Sequence, residues 1–336
     1  MSAASTPHDA WPGTRRPVPG RGGQGKQLSL SAATLFLVSC AGLSATEPRP
    51  LANESEATPL AVVETLSVFI EASDLAVGPG RVAYVTDVGT NTLTRIDGGS
   101  KRVLGGSGTE SGQFDEPRSV DPTNGLVILV ADAGNGRIQR FSREFRPLGS
   151  LGVEASSFDR LDRPLTGRGD DQRPAAEQGR PIAVVTSSSD EIFAIDATAR
   201  VVLKWDASLR PDQVIGGYGS RYGRLVDPVA LATDGQRMLF VLDAELNAVM
   251  VYDLFGTPLR TLASGQVAGA RSLAVSGERL VITLPHAVYV YSLDGSRLGT
   301  LAPGPEVELV DAYPLESSFL LLTSDYLLTA VPTRPD

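Results

Sequence analysis

The sequence predicts an all-β fold of the β-propeller class, in which four-stranded blades form a ring. The first observation is a repeat: "GGSGTESGQFDEP", residues 105–117, aligns without a gap with "GGYGSRYGRLVDP", residues 216–228. The second is that each copy leads into a similar series of four short strands, spread over about forty residues as in a propeller blade. The third is composition, because 35 Gly and 23 Pro supply many turns and 42% hydrophobic residues supply a core.

The predicted blades follow one another as six units. They begin near positions 74, 118, 182, 229, 272 and 309, and in most of them the second strand is an apolar run. The last unit ends at Val331 without a fourth strand, whereas "AVVETLSVFIEA", beginning at Ala61, is a strand that precedes the first unit. We expect this strand to complete the last blade, since closure of the ring removes exposed strand edges.

One blade carries a more specific pattern. The segment "GQFDEPRSVDPTNGLVILVADAGNGRIQRF" combines glycine, an aromatic residue and proline with an inner strand, a second strand ending in Asp, an Asn, and a strand that begins Arg-Ile. It resembles an NHL repeat, and the match is clearest over Gly112–Val153. The resemblance implies a six-bladed, NHL-like propeller with four-stranded antiparallel blades.

The N-terminal region is typical of an exported lipoprotein. Basic residues precede the apolar run "LSLSAATLFLVSC", which is the order of a secretory signal, and the run is too short to span a bilayer comfortably. Its end, Leu37-Val38-Ser39-Cys40, resembles the bacterial lipobox, in which the cysteine thiol receives a diacylglycerol. Cys40 is the single cysteine of the chain and the predicted lipidation site. A plain cleaved signal is the alternative interpretation.

These features divide the chain into three parts. Residues 1–39 are the predicted signal peptide, residues 40–59 a polar, proline-containing flexible tether, and residues 60–336 the propeller. In the lipoproteins that this sequence resembles, an aspartate directly after the cysteine favours retention in the inner membrane. Here the residue after the cysteine is Ala41. We therefore expect a lipid-anchored protein of the cell envelope, on the outer membrane and facing the periplasm.

Polar residues recur where the second strand of a blade turns into the third. Asp87 with Asn91, Asp132 with Asn135, and Asp243 with Asn247 occupy this position, and Asp196 occupies it alone. Short polar side chains at such turns can accept hydrogen bonds from backbone amides, and this structural interpretation is favoured. They are also candidate binding residues, because equivalent turns share one face of a propeller. A Ca²⁺ site would need several of them to converge on one point.

Two further features belong to the same face. His286 is predicted in a second-to-third strand turn, where it is a solvated or capping histidine or a lone acid or base. Residues 154–180 insert about twenty extra residues between the second and third blades, as a lid, a partner-binding arm or a plain surface loop. Within them, Arg168-Gly169-Asp170 resembles an integrin-binding tripeptide, which makes Arg168 and Asp170 candidate binding residues, although such triplets also arise by chance.

The chain contains no recognisable catalytic motif. With two histidines and one cysteine, a multi-histidine metal site is impossible, and neither a P-loop nor a G-x-S-x-G elbow is present. The sequence predicts no catalytic residues, metal or cofactor. The net charge of −9 argues against binding of nucleic acid through phosphate contacts.

Two classes of function follow. The favoured one is a monomeric, membrane-tethered propeller that binds a protein, peptide or glycan without catalysis. The alternative is a hydrolase or lyase with a carboxylate-bound metal at the mouth of the central channel.

Overall fold

The strands fall into six groups of four that follow the predicted units. The computed structural model describes residues 57–122, 125–154, 158, 178–217 and 223–333. The predicted signal peptide, Cys40 and most of the tether lie outside these ranges. Apart from a short 3-10 turn at Pro79–Arg81, every regular element in the described ranges is a β-strand. Accordingly, these ranges contain no helix that is long and apolar enough to cross a membrane.

Each of the first five blades is a meander of four sequential antiparallel strands. The strands of blade I are β2 (Ala72–Gly78), β3 (Val82–Asp87), β4 (Thr92–Asp97) and β5 (Ser100–Gly105). Those of blade II are β6 (Pro117–Asp121), β7 (Val127–Asp132), β8 (Arg137–Ser142) and β9 (Pro147–Gly152). Those of blade III are β10 (Pro181–Thr186), β11 (Ile192–Asp196), β12 (Val201–Trp205) and β13 (Pro211–Ile215).

Blade IV contains β14 (Pro228–Thr233), β15 (Met238–Asp243), β16 (Ala248–Asp253) and β17 (Pro258–Leu262). Blade V contains β18 (Ser272–Ser276), β19 (Arg279–Leu284), β20 (Ala287–Ser292) and β21 (Arg297–Ala302). Blade VI contains β22 (Asp311–Pro314), β23 (Phe319–Leu322), β24 (Tyr326–Pro332) and, from the other end of the chain, β1 (Thr58–Val68).

The N-terminal strand closes the ring as predicted. β1 pairs antiparallel with β24 from Leu60 opposite Pro332 to Val68 opposite Tyr326. Thr58 and Pro59 also pair in parallel with β21, so that hydrogen bonds join blades V and VI into one eight-stranded sheet. β1 begins at Thr58, two residues before the predicted start of the folded region.

Six hydrophobic clusters lie between consecutive blades. Each consists of side chains from two neighbouring blades, and the sixth joins blade VI, through Leu320 and Leu322, to blade I, through Leu75 and Val85. The second strand of a blade packs on both faces, and this explains why β3, β7 and β15 are nearly continuous apolar runs. The outer strands β5 and β9 are mostly exposed. The core is therefore a set of layers between blades arranged around a central channel.

Candidate functional site

The candidate site is a cavity at the mouth of the central channel. Its volume is about 350 Å³, at the small end of the range for small-molecule sites. The lining comes from the beginnings of the inner strands of blades I to V, so the cavity opens on the face that carries the interblade loops. The lining residues are Ser73, Asp74, Arg118, Ser119, Arg180, Ile182, Ala183, Val229, Ala230, Leu231, Arg271, Ser272 and Leu273.

β-Bulges direct part of this lining into the channel. The inner strand of each of the first four blades has an irregular register near its start, where one extra residue is inserted opposite the second strand. A bulge turns the extra side chain away from its ladder position. The inserted residues all line the cavity, and they are Ser73, Arg118, Ile182 and Val229. The cavity is therefore a product of the repeat, and its chemistry is set by which residue each bulge carries.

Two aspartates from neighbouring blades meet at the floor of the cavity, where Asp74 is part of the lining and Asp311 is buried and does not line it. Asp311 is almost fully buried, and it accepts hydrogen bonds from the backbone amides of Leu75 (3.0 Å) and Ala312 (2.7 Å) and from the Ser272 hydroxyl. Asp74 accepts a hydrogen bond from the amide of Val120 at 2.8 Å, and it is also hydrogen-bonded to the Asp311 side chain.

Burial raises the pKa of both carboxyl groups. The pKa of Asp74 rises to about 6. The pKa of Asp311 rises well above its ordinary value, because of burial first and the adjacent Asp74 charge second. The half-buried Asp74 and the buried Asp311 are in contact and cannot both ionise easily, so the pair holds a shared proton near neutral pH.

The floor is polar on one side only. In three blades the inner strand donates a backbone amide to a side chain of the preceding blade: Leu75 to Asp311, Val120 to Asp74, and Val184 to Ser119 (3.2 Å). The pairing of the first and second strands identifies the equivalent position on the inner strand of every blade. In blades V, VI, I and II this position holds Ser272, Asp311, Asp74 and Ser119. In blades III and IV it is Ala183 and Ala230.

Three arginines stand above this floor. Arg180 contacts Glu116 at 2.5 Å, and the Arg271 guanidinium contacts Glu308 and donates to the Leu309 carbonyl at 2.8 Å. Arg118 differs from both, because its nearest ion-pair contact is 3.8 Å from Glu116. Hydrogen bonds from Arg180 and Arg271 lower the pKa values of Glu116 and Glu308, respectively, so both glutamates are ionised.

The predicted aspartates lie on the same face but hold backbone amides. Asp87 accepts hydrogen bonds from the amides of Ile70 and Glu71, which lead into its blade, and from Thr90 in its own turn, at 3.0–3.1 Å. Asp243 likewise accepts hydrogen bonds from the backbone amides of Val226, Asp227 and Leu246. Asp196 accepts them from the backbone amides of Arg180 and Thr198. These contacts match the structural interpretation of the repeat.

Asp132 takes part in a denser network. It accepts the amide of Asp115 at 2.7 Å, the Arg137 Nε at 2.7 Å and the Gln139 side chain at 3.0 Å. Asn135 donates to both oxygens of Asp132 and to a carbonyl in the preceding interblade loop. A carboxylate with this many donors is fully used in holding the loop to its blade.

The asparagines connect a blade to the next loop. Asn91 and Asn247 adopt positive φ angles of 53° and 48°, a conformation that asparagine tolerates better than most residues. The Asn91 Oδ1 accepts the amide of Glu116 at 2.8 Å, and that of Asn247 accepts the amide of Val267 at 2.9 Å. Each side chain therefore braces the loop that leads into the following blade.

The other candidates are placed as follows. His286 lies exposed in the turn between β19 and β20, and its Nδ1 is 3.2 Å from the Val307 carbonyl. Arg168, Asp170 and most of the insertion lie outside the described residues. Within the insertion, Phe158 is buried and packs edge-to-face on Trp205, with ring centroids 5.1 Å apart.

The cavity does not fit a carboxylate-bound metal. The described ranges contain no group of three or more His, Cys, Asp or Glu residues placed to hold a metal ion. The two aspartates of the floor are occupied with backbone amides and with each other, and three guanidinium groups line the same space.

The lining of this cavity is not among the site residues predicted from the sequence. Asp74 and Arg118 each fall within a repeat unit, but Asp74 shares its residue type with its counterpart in one other blade alone, Asp311, and Arg118 with none of its counterparts in the other bulged strands. The position of Arg118 holds Ser73, Ile182 and Val229 in the other bulged strands, so the residue type changes from blade to blade and the repeat does not mark the channel.

Comparisons with known proteins support the fold. No protein-family model matches the chain, and no curated protein is similar to it. Among solved structures, a catalytically inactive virginiamycin B lyase from Staphylococcus aureus with quinupristin has a TM-score of 0.53 at 11% identity, covering 78% of this chain and 80% of that one. This chain is a β-propeller.

Two other structures give the same result. A gluconolactonase from Xanthomonas campestris has a TM-score of 0.55 at 13% identity, covering 83% of this chain and 96% of that one. A chain of a nidogen–laminin complex has a TM-score of 0.52 at 16% identity, covering 71% and 83%. At these identities the likeness concerns the propeller fold and carries no activity with it.

Proposed function

We propose that this chain is a lipid-anchored, NHL-like β-propeller that serves as a non-catalytic binding module in the bacterial cell envelope. Its ligand, a protein, peptide or glycan, binds on the face that carries the interblade loops. The anchor is Cys40 and the location is the outer membrane, facing the periplasm. The lipobox-like sequence, the acidic tether and the NHL-like second blade support this proposal.

One observation carries the choice of binding over catalysis. On this face the recurring carboxylates Asp87, Asp132, Asp196 and Asp243 accept hydrogen bonds from backbone amides, so they are committed to holding the loops. The adjoining cavity is lined by arginines that retain donor groups. A site with positioned donors and few available acid–base groups is suited to recognition.

The test is capture of a partner by the full chain from crosslinked cells. Val229→Trp fills the cavity from a half-buried lining position, and we expect it to weaken capture strongly. Ser276→Trp places the same side chain at the opposite end of the channel and is the control. Equal capture by both variants, each folded by circular dichroism, would move the binding surface away from the cavity.

A third variant examines the insertion. Gly179 donates its amide to the Val153 carbonyl at 2.8 Å, so the two ends of the insertion meet at the blade. Replacement of residues 159–177 by a Gly-Ser link retains Phe158 and this contact, and loop length has a small effect on closure entropy. Loss of capture at an unchanged melting temperature would assign the partner contact to the insertion.

A second candidate function is favoured by one residue. Asp74 lines the cavity with a pKa of about 6, within the range suited to a general acid or base. The compared propellers include a lyase and a gluconolactonase. Turnover of lactones or esters that is lost in Asp74→Asn but kept in Val229→Ala would support a hydrolase or lyase.

A further inference from the structure

The cavity at the channel mouth has unused hydrogen-bond donors and few unused acceptors. At the floor, Ser119 is hydrogen-bonded to the Asp74 side chain and accepts the amide of Val184. Ser73 donates to the Pro117 carbonyl at 2.8 Å, and Ser272 donates to Asp311. The small polar groups of the lining are therefore satisfied within the protein.

The remaining hydrogen-bonding capacity belongs to the arginines. A guanidinium group carries five N–H donors and no acceptor. Arg118 donates no hydrogen bond to any residue in the described ranges, and its Nε is buried without a partner there. The Arg180 side chain donates one hydrogen bond, to Glu116. The two terminal nitrogens of Arg271 donate to the Leu309 carbonyl and to Glu308.

The ion-pair contacts point the same way. Arg180 and Arg271 each contact an ionised glutamate, Glu116 and Glu308 respectively, and the proton shared by Asp74 and Asp311 leaves one further negative charge at the floor. Among these three guanidinium groups, Arg118 has no ion-pair contact shorter than 3.8 Å in the described ranges. A partly buried guanidinium without a hydrogen-bonded partner is costly, and an anion that supplies acceptors relieves this cost.

We infer that the channel mouth is an oxyanion-binding site, in which Arg118 is the principal ligand and Arg180 and Arg271 flank the anion. The ligand is a small molecule, or the end of a larger one, that bears a carboxylate or phosphate group. A planar guanidinium binds either group through two parallel hydrogen bonds. This inference rests on the proposed binding function and names the chemistry that its cavity recognises.

The experiment titrates the purified full chain, by calorimetry at constant ionic strength, with inorganic phosphate and separately with glucuronate. Chloride at matched ionic strength is the reference. We expect saturable binding of at least one probe, and the difference between the two arms identifies phosphate or carboxylate as the preferred group. Arg118→Gln should weaken binding by about ten- to a hundred-fold, the usual effect of losing hydrogen bonds to a charged group.

Two further variants keep the result interpretable. Arg118→Lys retains the charge but not the paired donors, and should bind with intermediate affinity. Arg210→Gln removes an exposed arginine that is paired with Asp206 outside the cavity, and should bind like the wild type. Failure of both probes to bind more tightly than chloride, or equal affinity of the wild type and folded Arg118→Gln, overturns the inference.

The outcome is independent of the test of the proposed function. Partner capture from crosslinked cells uses the natural ligand, whereas this titration uses defined anions. If Arg118→Gln loses anion binding but still captures the partner, the oxyanion site stands and the partner binds elsewhere. If the wild type captures no partner from crosslinked cells while anion binding persists, it is the binding-module proposal that fails.

Discussion

At the scale of single residues, the paired carboxyl groups of Asp74 and Asp311 make stability depend on pH. A carboxyl group whose pKa is raised by folding binds its proton more tightly in the folded state than in the unfolded state. The folded state is therefore favoured at low pH, and this contribution is lost as the pH rises through the folded pKa. For Asp74 the window runs from the ordinary value of 3.8 to about 6.

The substitution Asp74→Asn tests this dependence. The amide can still accept from Val120 and can donate to Asp311, which removes the need for a shared proton. Relative to the wild type, we expect the variant to gain about 1–3 kcal/mol in unfolding free energy between pH 4 and pH 7. Urea denaturation at both pH values measures the gain. If the unfolding free energies of the two proteins change by the same amount between pH 4 and pH 7, ionisation of the pair does not destabilise the folded state.

A second residue-scale prediction concerns packing between blades. Phe114 is fully buried between blades I and II, and its ring lies edge-to-face with Phe141 at a centroid distance of 5.9 Å. Phe114→Ala should lower the unfolding free energy by about 3–5 kcal/mol, the usual effect of such a cavity. Leu148→Ala, on the exposed outer strand β9, is the control and should change it by less than about 0.5 kcal/mol.

At the scale of elements, β1 is the component most specific to closure of the ring. Deletion of residues 58–68 removes the ladder between β1 and β24 and the buried Leu60 from the last blade. The exposed edge of β24 should then cause association and the loss of cooperative unfolding. Val63→Thr alters an exposed position of the same strand and is the control. A monomeric deletion variant with a wild-type melting curve would contradict a closing role for β1.

The elements were predictable where the chain repeats itself. Asp87, Asp132 and Asp243 stand at the same place in successive units, so their shared role in holding turns could be inferred from sequence alone. The missing fourth strand of the last unit likewise predicted the donation of β1. Such inferences depend on local patterns that recur, which the sequence displays directly.

The cavity was not predictable in this way. Arg118, Arg180 and Arg271 are far apart in the chain and become neighbours only because six inner strands converge on one axis. Asp74 and Asp311 belong to the first and last blades and meet only when the ring closes. Their chemistry belongs to single positions rather than to the repeat, so periodicity could not reveal it.

At the scale of the whole molecule, the proposal separates attachment from recognition. The lipid at Cys40 would fix the chain to a membrane through a tether, whereas the cavity lies on one face of the propeller. A tether as flexible as its sequence predicts would transmit no geometry to the ring, so loss of the anchor should leave ligand affinity unchanged. Loss of Arg118 should, in turn, leave membrane attachment unchanged.

The substitution Cys40→Ser tests this separation. Acyl chains hold a protein on a bilayer in proportion to their buried methylene groups, so removal of the acylated thiol should release the chain or leave its leader uncleaved. Ser39→Ala keeps a small residue before the cysteine and should remain processed and membrane-bound. Fractionation and intact mass of both variants and of Arg118→Gln give the comparison. A processed Cys40→Ser protein that still sediments with membranes at the wild-type mass would refute the lipid anchor, because attachment would then reside in the folded ring itself.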